Sequence, residues 1–563
     1  MKRPRWDLRL MLGGGVFCLF ACGENPEMKP ENGALIDRAG FPWETYQAED
    51  MRIEAEVRGP SRVPGTPEAE AVGRRMVRLE RTGDYVEFSS RKPANTILLR
   101  HSIPDAGDGG GRRGTVSLYV NGAFRQKVHL DSRLAWVYGD FPGSNDPSQG
   151  KARHVFTEDH AMVAPIAAGD SVRLQKDADD TLPWIHLDLV ELERAPPPLP
   201  RPENSLSILD FGATSGDDSN DADALIRCME AALKSGQTVW IPPGTFRLDA
   251  ARLPAYGVRL QGAGIWHSRL TGSTTMFDGT GEAVHVADLA IFGEVDRRVD
   301  HLQTNAFNGN LGDGSVFERI WIEHMKCGFW TTFGTRNMIL RDSRIRNLKA
   351  DGLNFCDGTV GSVVERCHFR NTGDDALATW SARDGAGKPC RGNRFTRNWI
   401  QQPWMANGIA IYGGADHVVS GNLIEETVIS GAGILVSSGF NAYPFEGTIR
   451  VENNRIVGAG GDCYIGEQVG GLWFHAKDED VAAQIEVRNL EIIDSHDSAI
   501  SIHGPREFES IRLENITIAG AAKAALEAMP GARATVHVRE MEFSGVPEGK
   551  AIHHEGSAVN VVE

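Results

Sequence analysis

Asp351-Gly352-Leu353-Asn354-Phe355 recurs with drift as Asp375-Ala376-Leu377-Ala378-Thr379, as Asn407-Gly408-Ile409-Ala410-Ile411 and as Ala432-Gly433-Ile434-Leu435-Val436. Laid over one another, these stretches align Leu353, Leu377, Ile409 and Ile434 in one apolar column. Side chains alternate faces along a strand, so Asn354, Ala378 and Ala410 point outward, with Cys356, Trp380 and Tyr412 two residues further on. A short strand that recurs with its inward face apolar describes a solenoid, in which each coil buries its face on the next.

The pattern extends both ways. Apolar anchors stand at Ile291, Ile322, Ile345, Phe369, Ile400, Ile424, Ile456, Ile492, Ile518 and Phe543, in steps of 31, 23, 24, 31, 24, 32, 36, 26 and 25 residues. The shortest steps give the basal coil, and the longer ones carry loop insertions on one face. Turns at Arg397-Asn398, Gly421-Asn422, Asn453-Asn454, Arg488-Asn489 and Glu514-Asn515 punctuate the strands. The expected fold is all-β: a right-handed parallel β-helix.

Asp374 and Asp375 lie 23 and 24 residues after Asp351, one coil away. Neighbouring rungs are roughly 4.8 Å apart, so the spacing gathers three carboxylates in one patch. Such groups repel and shift each other's protonation, which is the raw material of acid/base catalysis. On its own Asp374-Asp375 also reads as turn chemistry, since Asp caps turns well. Trp380 and Tyr412 would flank the aspartates on the outer face, with Asn354 and Asn407 as polar partners. Aromatic rings beside polar groups suit a sugar, whose C–H faces stack while its hydroxyls hydrogen-bond. Asn407 reads equally as a stacked ladder asparagine, and Trp330 and His324 as core residues or as substrate contacts.

The chain has 563 residues, 63 of them glycine, and a formal net charge of −17. That charge argues against nucleic acid and against an acidic polymer as partner, and permits a neutral polysaccharide. Lys2, Arg3, Arg5 and Arg9 precede an apolar stretch from Leu10 to Ala21, the layout of an export signal. The stretch closes on Leu19-Phe20-Ala21-Cys22-Gly23, which resembles a bacterial lipobox. The resemblance implies a signal peptide over 1–21, lipidation of Cys22 and a membrane anchor on an outer membrane or cell surface, with plain secretion as the alternative. Six cysteines follow without paired spacing, which opposes a zinc site and favours buried free thiols.

Residues 22–43 read as a tether. Residues 44–195 form a second all-β unit, with alternating strands at Tyr85–Phe88, Thr96–His101, Thr115–Val120 and Ile185–Leu192, and suggest a β-sandwich. Residues 196–204 are a proline-rich linker and 205–563 the β-helix. Asp221 to Ser235 is an amphipathic helix placed to cover the open end of the solenoid.

With these motifs the chain resembles glycoside hydrolase family 87, the α-1,3-glucanases and mycodextranases, whose fold is pectate-lyase-like. The resemblance rests on Val239-Trp240-Ile241-Pro242-Pro243-Gly244-Thr245-Phe246, Ile320-Trp321-Ile322-Glu323-His324, the Asp351 motif, Asn371 to Trp380 and Asn407 to Gly414. The region from Phe41 to Asp50, with Ser117 to Gly122 and Val172 to Ala178, is similar to a family 35/6-like carbohydrate-binding module of jelly-roll type. These likenesses imply inverting hydrolysis of an α-glucan (mutan or nigeran) by a monomer, with no catalytic cofactor. Asp374 is implied as general acid, and Asp351 with Asp375 as base. A structural calcium is implied at Gln47, Glu49 and Asp188. Cys356-Asp357 and Glu425-Glu426-Thr427 depart from the family pattern and are expected near the cleft. The alternatives are a polysaccharide lyase or galacturonan hydrolase on the same fold, or a non-catalytic glycan-binding adhesin.

Overall fold

The computed structural model describes residues 35–249, 252–272, 277–385, 387–429, 431–463 and 466–562. Cys22 and the export signal lie outside the described residues.

The first domain is a sandwich of two antiparallel sheets. One holds Trp43–Gln47, Glu56–Arg58, Met76–Leu79, Ile185–Glu193, Ala94–Ser102 and Thr157–Ile166; the other holds Arg52–Glu54, Tyr85–Ser89, Ser171–Gln175, Arg113–Val120 and Ala123–Asp131. Inward residues such as Val77, Leu99, Leu118, Val172 and Leu187 fill the space between them. The strand Ile185–Glu193 is buried at every position. One of its faces meets the sandwich core, and the other meets the second domain.

The second domain is a parallel β-helix. Its strands form one parallel sheet of 21 and another of 12. The anchors pair in register without a break, from Ile291 beside Ile322 to Ile518 beside Phe543. Leu353, Leu377, Ile409 and Ile434 likewise pair in one inward column. Phe277, Phe307 and Phe329 stack at 5.4 and 4.9 Å between ring centroids. At one corner Asn398, Asn422 and Asn454 form a buried ladder, each side-chain oxygen accepting from the coil before it. The helix Ala222–Ser235 buries Leu225, Cys228 and Met229 against the first coils. It is an insertion rather than a preface, because Ser205–Ser207 already pairs with Thr238–Ile241. Asp221 does not cap its amides; its carboxylate accepts from Thr214 N, and Asn220 accepts from Ala222 N.

The two domains share a buried, charged interface. Arg346 and Arg370 of the helix face Glu158 and Glu191 of the sandwich, and Arg344 pairs with Glu193 at 2.7 Å. Lys349 Nζ donates to Leu134 O at 2.5 Å, and Asn371 Nδ2 to Phe156 O at 3.1 Å. Apolar contacts surround these pairs: Leu98 and Leu189 meet Trp266 and Trp321, while Val137 meets Trp404 and Met405. The described end of the tether is also docked, with Phe41 and Trp43 packed on Trp399.

Candidate active site

Asp351, Asp375 and Asn407 each stand two residues before successive strands of the 12-stranded sheet, Leu353–Cys356, Leu377–Trp380 and Ile409–Tyr412. They therefore form one column at a corner of the coil, tied by Gly352 N to Asp375 O and Ala376 N to Asn407 O at 3.0 Å each. Asp374, one residue earlier, leaves that column and reaches the adjoining cavity. The three carboxylates converge, each offering an oxygen within 4.8 Å of the others.

A cavity of about 430 Å³ opens over them, lined by Phe141, Arg298, Trp330, Asp351, Asn354, Asp374, Asp375, Trp380, Met405, Ala406, Tyr412 and Phe440. Trp330 and Trp380 meet edge to face at 6.2 Å. Trp380 Nε1 donates to Phe440 O at 3.0 Å, fixing the ring. Tyr412 faces outward as expected but is covered, at 7% exposure, with its hydroxyl donating to Asp375 Oδ2 at 3.0 Å. It orients a carboxylate rather than offering an open stacking platform.

Burial, then the neighbouring charge of Asp374, pushes the Asp375 carboxyl up to about 7, against hydrogen bonds from Asn407 and Tyr412 that favour its charged form. Asn407 supplies both its backbone N–H and its Nδ2 to Asp375 Oδ1, at 3.0 and 2.7 Å. Burial raises Asp351 well above the carboxylate range, with Asp374 and Asp375 adding to the shift. Its apolar surroundings include the Cys327 thiol at 4.0 Å. Asp374 is the most open of the three and pairs with Arg298 Nη1 at 2.5 Å. The site thus holds two buried carboxyls biased toward protonation beside a third that faces a cation.

The sequence located most of this site but not all. Asp351, Asp374, Asp375, Asn354, Trp330, Trp380 and Tyr412 line one cavity, and Asn407 stands just behind it. His324 does not belong there. It packs beside Glu323 near the first domain, and burial lowers its ring to about 3. Glu425 and Glu426 also leave the cleft. Glu425 accepts from Trp399 Nε1 at 2.6 Å, and Glu426 accepts from Gly73 N of the sandwich at 3.0 Å. Cys356 is a buried thiol that burial and Cys390 push well upward. All six described cysteines are free.

The expected calcium residues divide: Gln47 and Glu49 keep buried oxygens without a partner, while Asp188 is committed to Arg100. Burial lifts the Glu49 carboxyl to about 7. Both oxygens of Asp188 are engaged, however: Oδ1 accepts from Val72 N at 3.0 Å and Oδ2 pairs with Arg100. Arg100 supplies the positive charge there, and a calcium ion wants six to eight oxygens.

Arg298, Phe141 and Phe440 were not found from sequence. Arg298 lies in the 31-residue step after Ile291 and Phe440 in the 32-residue step after Ile424, so the long steps were the available signal. Phe141 comes from the first domain, which no repeat could place.

Carboxylates gathered under aromatic walls are the parts from which a glycoside hydrolase site is built. The family comparison gives the particular class. Residues 218–535 match the model described as α-1,3-glucanase catalytic domain D2, and residues 40–195 the one described as α-1,3-glucanase catalytic domain D1. The chain belongs to this family of glycoside hydrolases, family 87. The sandwich, expected as a carbohydrate-binding module, thus matches half of a two-part catalytic unit.

Among solved structures, the Agl-KA catalytic domain is 27% identical with a TM-score of 0.84, covering 94% of this chain and 98% of that one. The catalytic unit of a family 87 α-1,3-glucanase from Streptomyces thermodiastaticus is 30% identical with a TM-score of 0.82, covering 93% and 97%. Alginate lyase 7 of Azotobacter vinelandii is 30% identical over 194 residues, 30% of this chain and 22% of its own length. The chain spans about a fifth to a third of the curated relatives it matches.

Proposed function

We propose that the chain hydrolyses α-1,3-glucosidic bonds of an α-glucan, mutan or nigeran, with inversion at the anomeric carbon. The single observation that carries the reading is the aspartate trio converging under an aromatic-walled cavity. Family membership supports the linkage, and the cavity suits a neutral sugar, since Arg298 is the one cation among its lining residues.

Asp374, the open carboxyl, protonates the glycosidic oxygen. Asp351 and Asp375 hold and deprotonate the attacking water. Both oxygens of Asp375 already accept hydrogen bonds, which suits orienting a water better than attacking carbon. The oxygens lie closer than the roughly 6.5–9.5 Å usual between acid and base in inverting enzymes, so the stereochemistry is the sharpest test. Proton NMR of the first-formed sugar should show the β-anomer; an initial α-anomer would mean a covalent intermediate and overturn the water-activation role. Asp374→Asn and Asp375→Asn should each abolish reducing-end release from insoluble α-1,3-glucan and nigeran, by roughly 10³-fold or more. Ultraviolet-absorbing unsaturated products would indicate a lyase instead. Export and lipidation at Cys22 complete the proposal, since an insoluble glucan must be met outside the cell. A Cys22→Ser variant found in the medium rather than in the membrane fraction would support the anchor.

A further inference from the structure

In the free site the proposed acid is covered by a cation. Arg298 Nη1 faces Asp374 Oδ2 at 2.5 Å. A guanidinium carries donors only, so the oxygen it faces accepts and presents no proton in that direction. A general acid must lie within hydrogen-bond reach of the oxygen it protonates. Asp374 Oδ1 accepts from Asp375 N at 3.1 Å, so in the free site both oxygens of the proposed acid are already engaged.

Arg298 is held there by more than Asp374. Its Nε donates to Asp300 at 2.6 Å, and its guanidinium lies 4.8 Å over the ring of Phe141 from the first domain. Lys326 Nζ fastens the same loop through Asp300 O and Leu302 O, at 3.2 and 2.5 Å. Across the interface, Asn145 Nδ2 donates to Asp296 at 2.9 Å. The loop from Glu294 to Leu302 is therefore pinned from both sides, while the side chain keeps two partners besides Asp374. Asp300 is 56% exposed and Phe141 55% exposed, so both partners border the open side of the cleft.

We propose that Arg298 is a positioning residue that latches Asp374 in the empty cleft, and that a bound glucan displaces it so that the trio's proton passes to Asp374 only when substrate is in place. The proposal rests on the acid/base roles given above. No covalent bond changes: a proton held by the Asp351–Asp375 pair moves to Asp374, and the guanidinium turns toward Asp300 and Phe141. The charged or titratable groups facing this exchange are Asp351, Asp374, Asp375, Asp300 and Arg298, with Cys327 beside Asp351 and the Tyr412 hydroxyl on Asp375. Phe141 gives the first domain a part in the chemistry, as the platform that keeps the guanidinium aimed.

The test compares wild type, Arg298→Gln and Phe141→Ala on a soluble α-1,3-linked glucan oligosaccharide, with kcat and kcat/KM followed against pH. Substrate binding no longer breaks the ion pair in Arg298→Gln. KM should therefore fall roughly tenfold, with kcat changing by no more than about threefold, for a half-buried pair. The alkaline limb of kcat/KM, which reports the free enzyme, should move to higher pH while that of kcat stays. Phe141→Ala removes a contact that the guanidinium keeps in both positions, and should change KM by less than Arg298→Gln does. A fall in kcat at constant KM would place Arg298 in the transition state and overturn the latch; unchanged constants would make it a bystander. If wild type cleaves no α-1,3-glucan, the functional reading fails instead. The latch is then judged without substrate, by carbon NMR of labelled aspartate carboxyls in the free protein. Loss of Arg298 should raise the midpoint at which the trio titrates, and an unmoved midpoint overturns the proposal.

Discussion

At the residue scale the site is an arrangement of costs. Asp375 keeps its carboxyl in a buried place beside two others, and its rise to about 7 expresses that cost. A carboxyl raised on folding binds its proton more tightly in the native state. Its ionisation therefore removes stability as pH climbs from the unfolded value of about 4 through about 7, and the cost is complete above that. Asp375→Asn removes the charge, keeps an acceptor for Asn407 and offers a donor to Tyr412. The variant should match wild type in unfolding free energy near pH 4 and exceed it near pH 8, by up to ~4 kcal/mol at 1.36 kcal/mol per unit. Calorimetry across that range checks it; an offset that does not vary with pH would mean that ionisation of this buried carboxyl is not the cause. This trio was legible from sequence because coil spacing converts about 24 residues into one rung. Arg298 was not, because its approach depends on where an inserted loop lands, and no periodicity encodes that.

At the element scale, repetition explains why the fold could be read in such detail. Each strand pairs only with the coil before and after it, so one correct register propagates from Ile291 to Phe543. The asparagine turns were visible too, but their energetic ranks were not, because burial decides them. Asn422 Oδ1 accepts from Asn398 N and Nδ2 at 2.9 and 3.1 Å, and its own Nδ2 reaches Phe395 O and Asn454 Oδ1. All of this is buried, so Asn422→Ala strands several polar groups away from water. It should cost about 3 kcal/mol or more, at 1–3 kcal/mol per unsatisfied group. Asn515 makes a similar rung-to-rung bond to Asn489 in the open, where water replaces a lost partner. Asn515→Ala should cost less than about 1 kcal/mol. Urea unfolding of the two variants decides between them, and equal losses would mean that the buried ladder relaxes.

At the scale of the whole molecule, the sequence divides where the structure joins. In sequence, the proline-rich stretch and the change of strand pattern read as a linker between two units. The faces that meet were invisible, since an arginine on a strand reads as solvent-facing until a glutamate from another domain is placed opposite it. Arg346 and Arg370 are fully buried, with Glu158 and Glu191 between them. Burial alone would push the Glu158 carboxyl up, but Arg370 and Arg346 outweigh it and bring it down to about 2. Glu191 is lowered by the same two cations against its own burial. Carboxyls lowered on folding contribute stability that is present above the unfolded value of about 4.5 and lost as pH falls through the folded one. Glu158→Gln leaves two buried guanidinium groups short of one negative charge, which costs about 3–5 kcal/mol when a buried pair is broken. The gap to wild type should be constant from pH 8 to 5 and close as the medium is taken below pH 4, where wild type begins to protonate the same group. Both proteins should unfold in a single calorimetric transition if the interface makes the two domains one cooperative unit. A variant that splits into two transitions, with the β-helix melting at its wild-type temperature, would mean that the sandwich is an accessory after all. Phe141 would then owe its place over Arg298 to a contact the catalytic coil does not need.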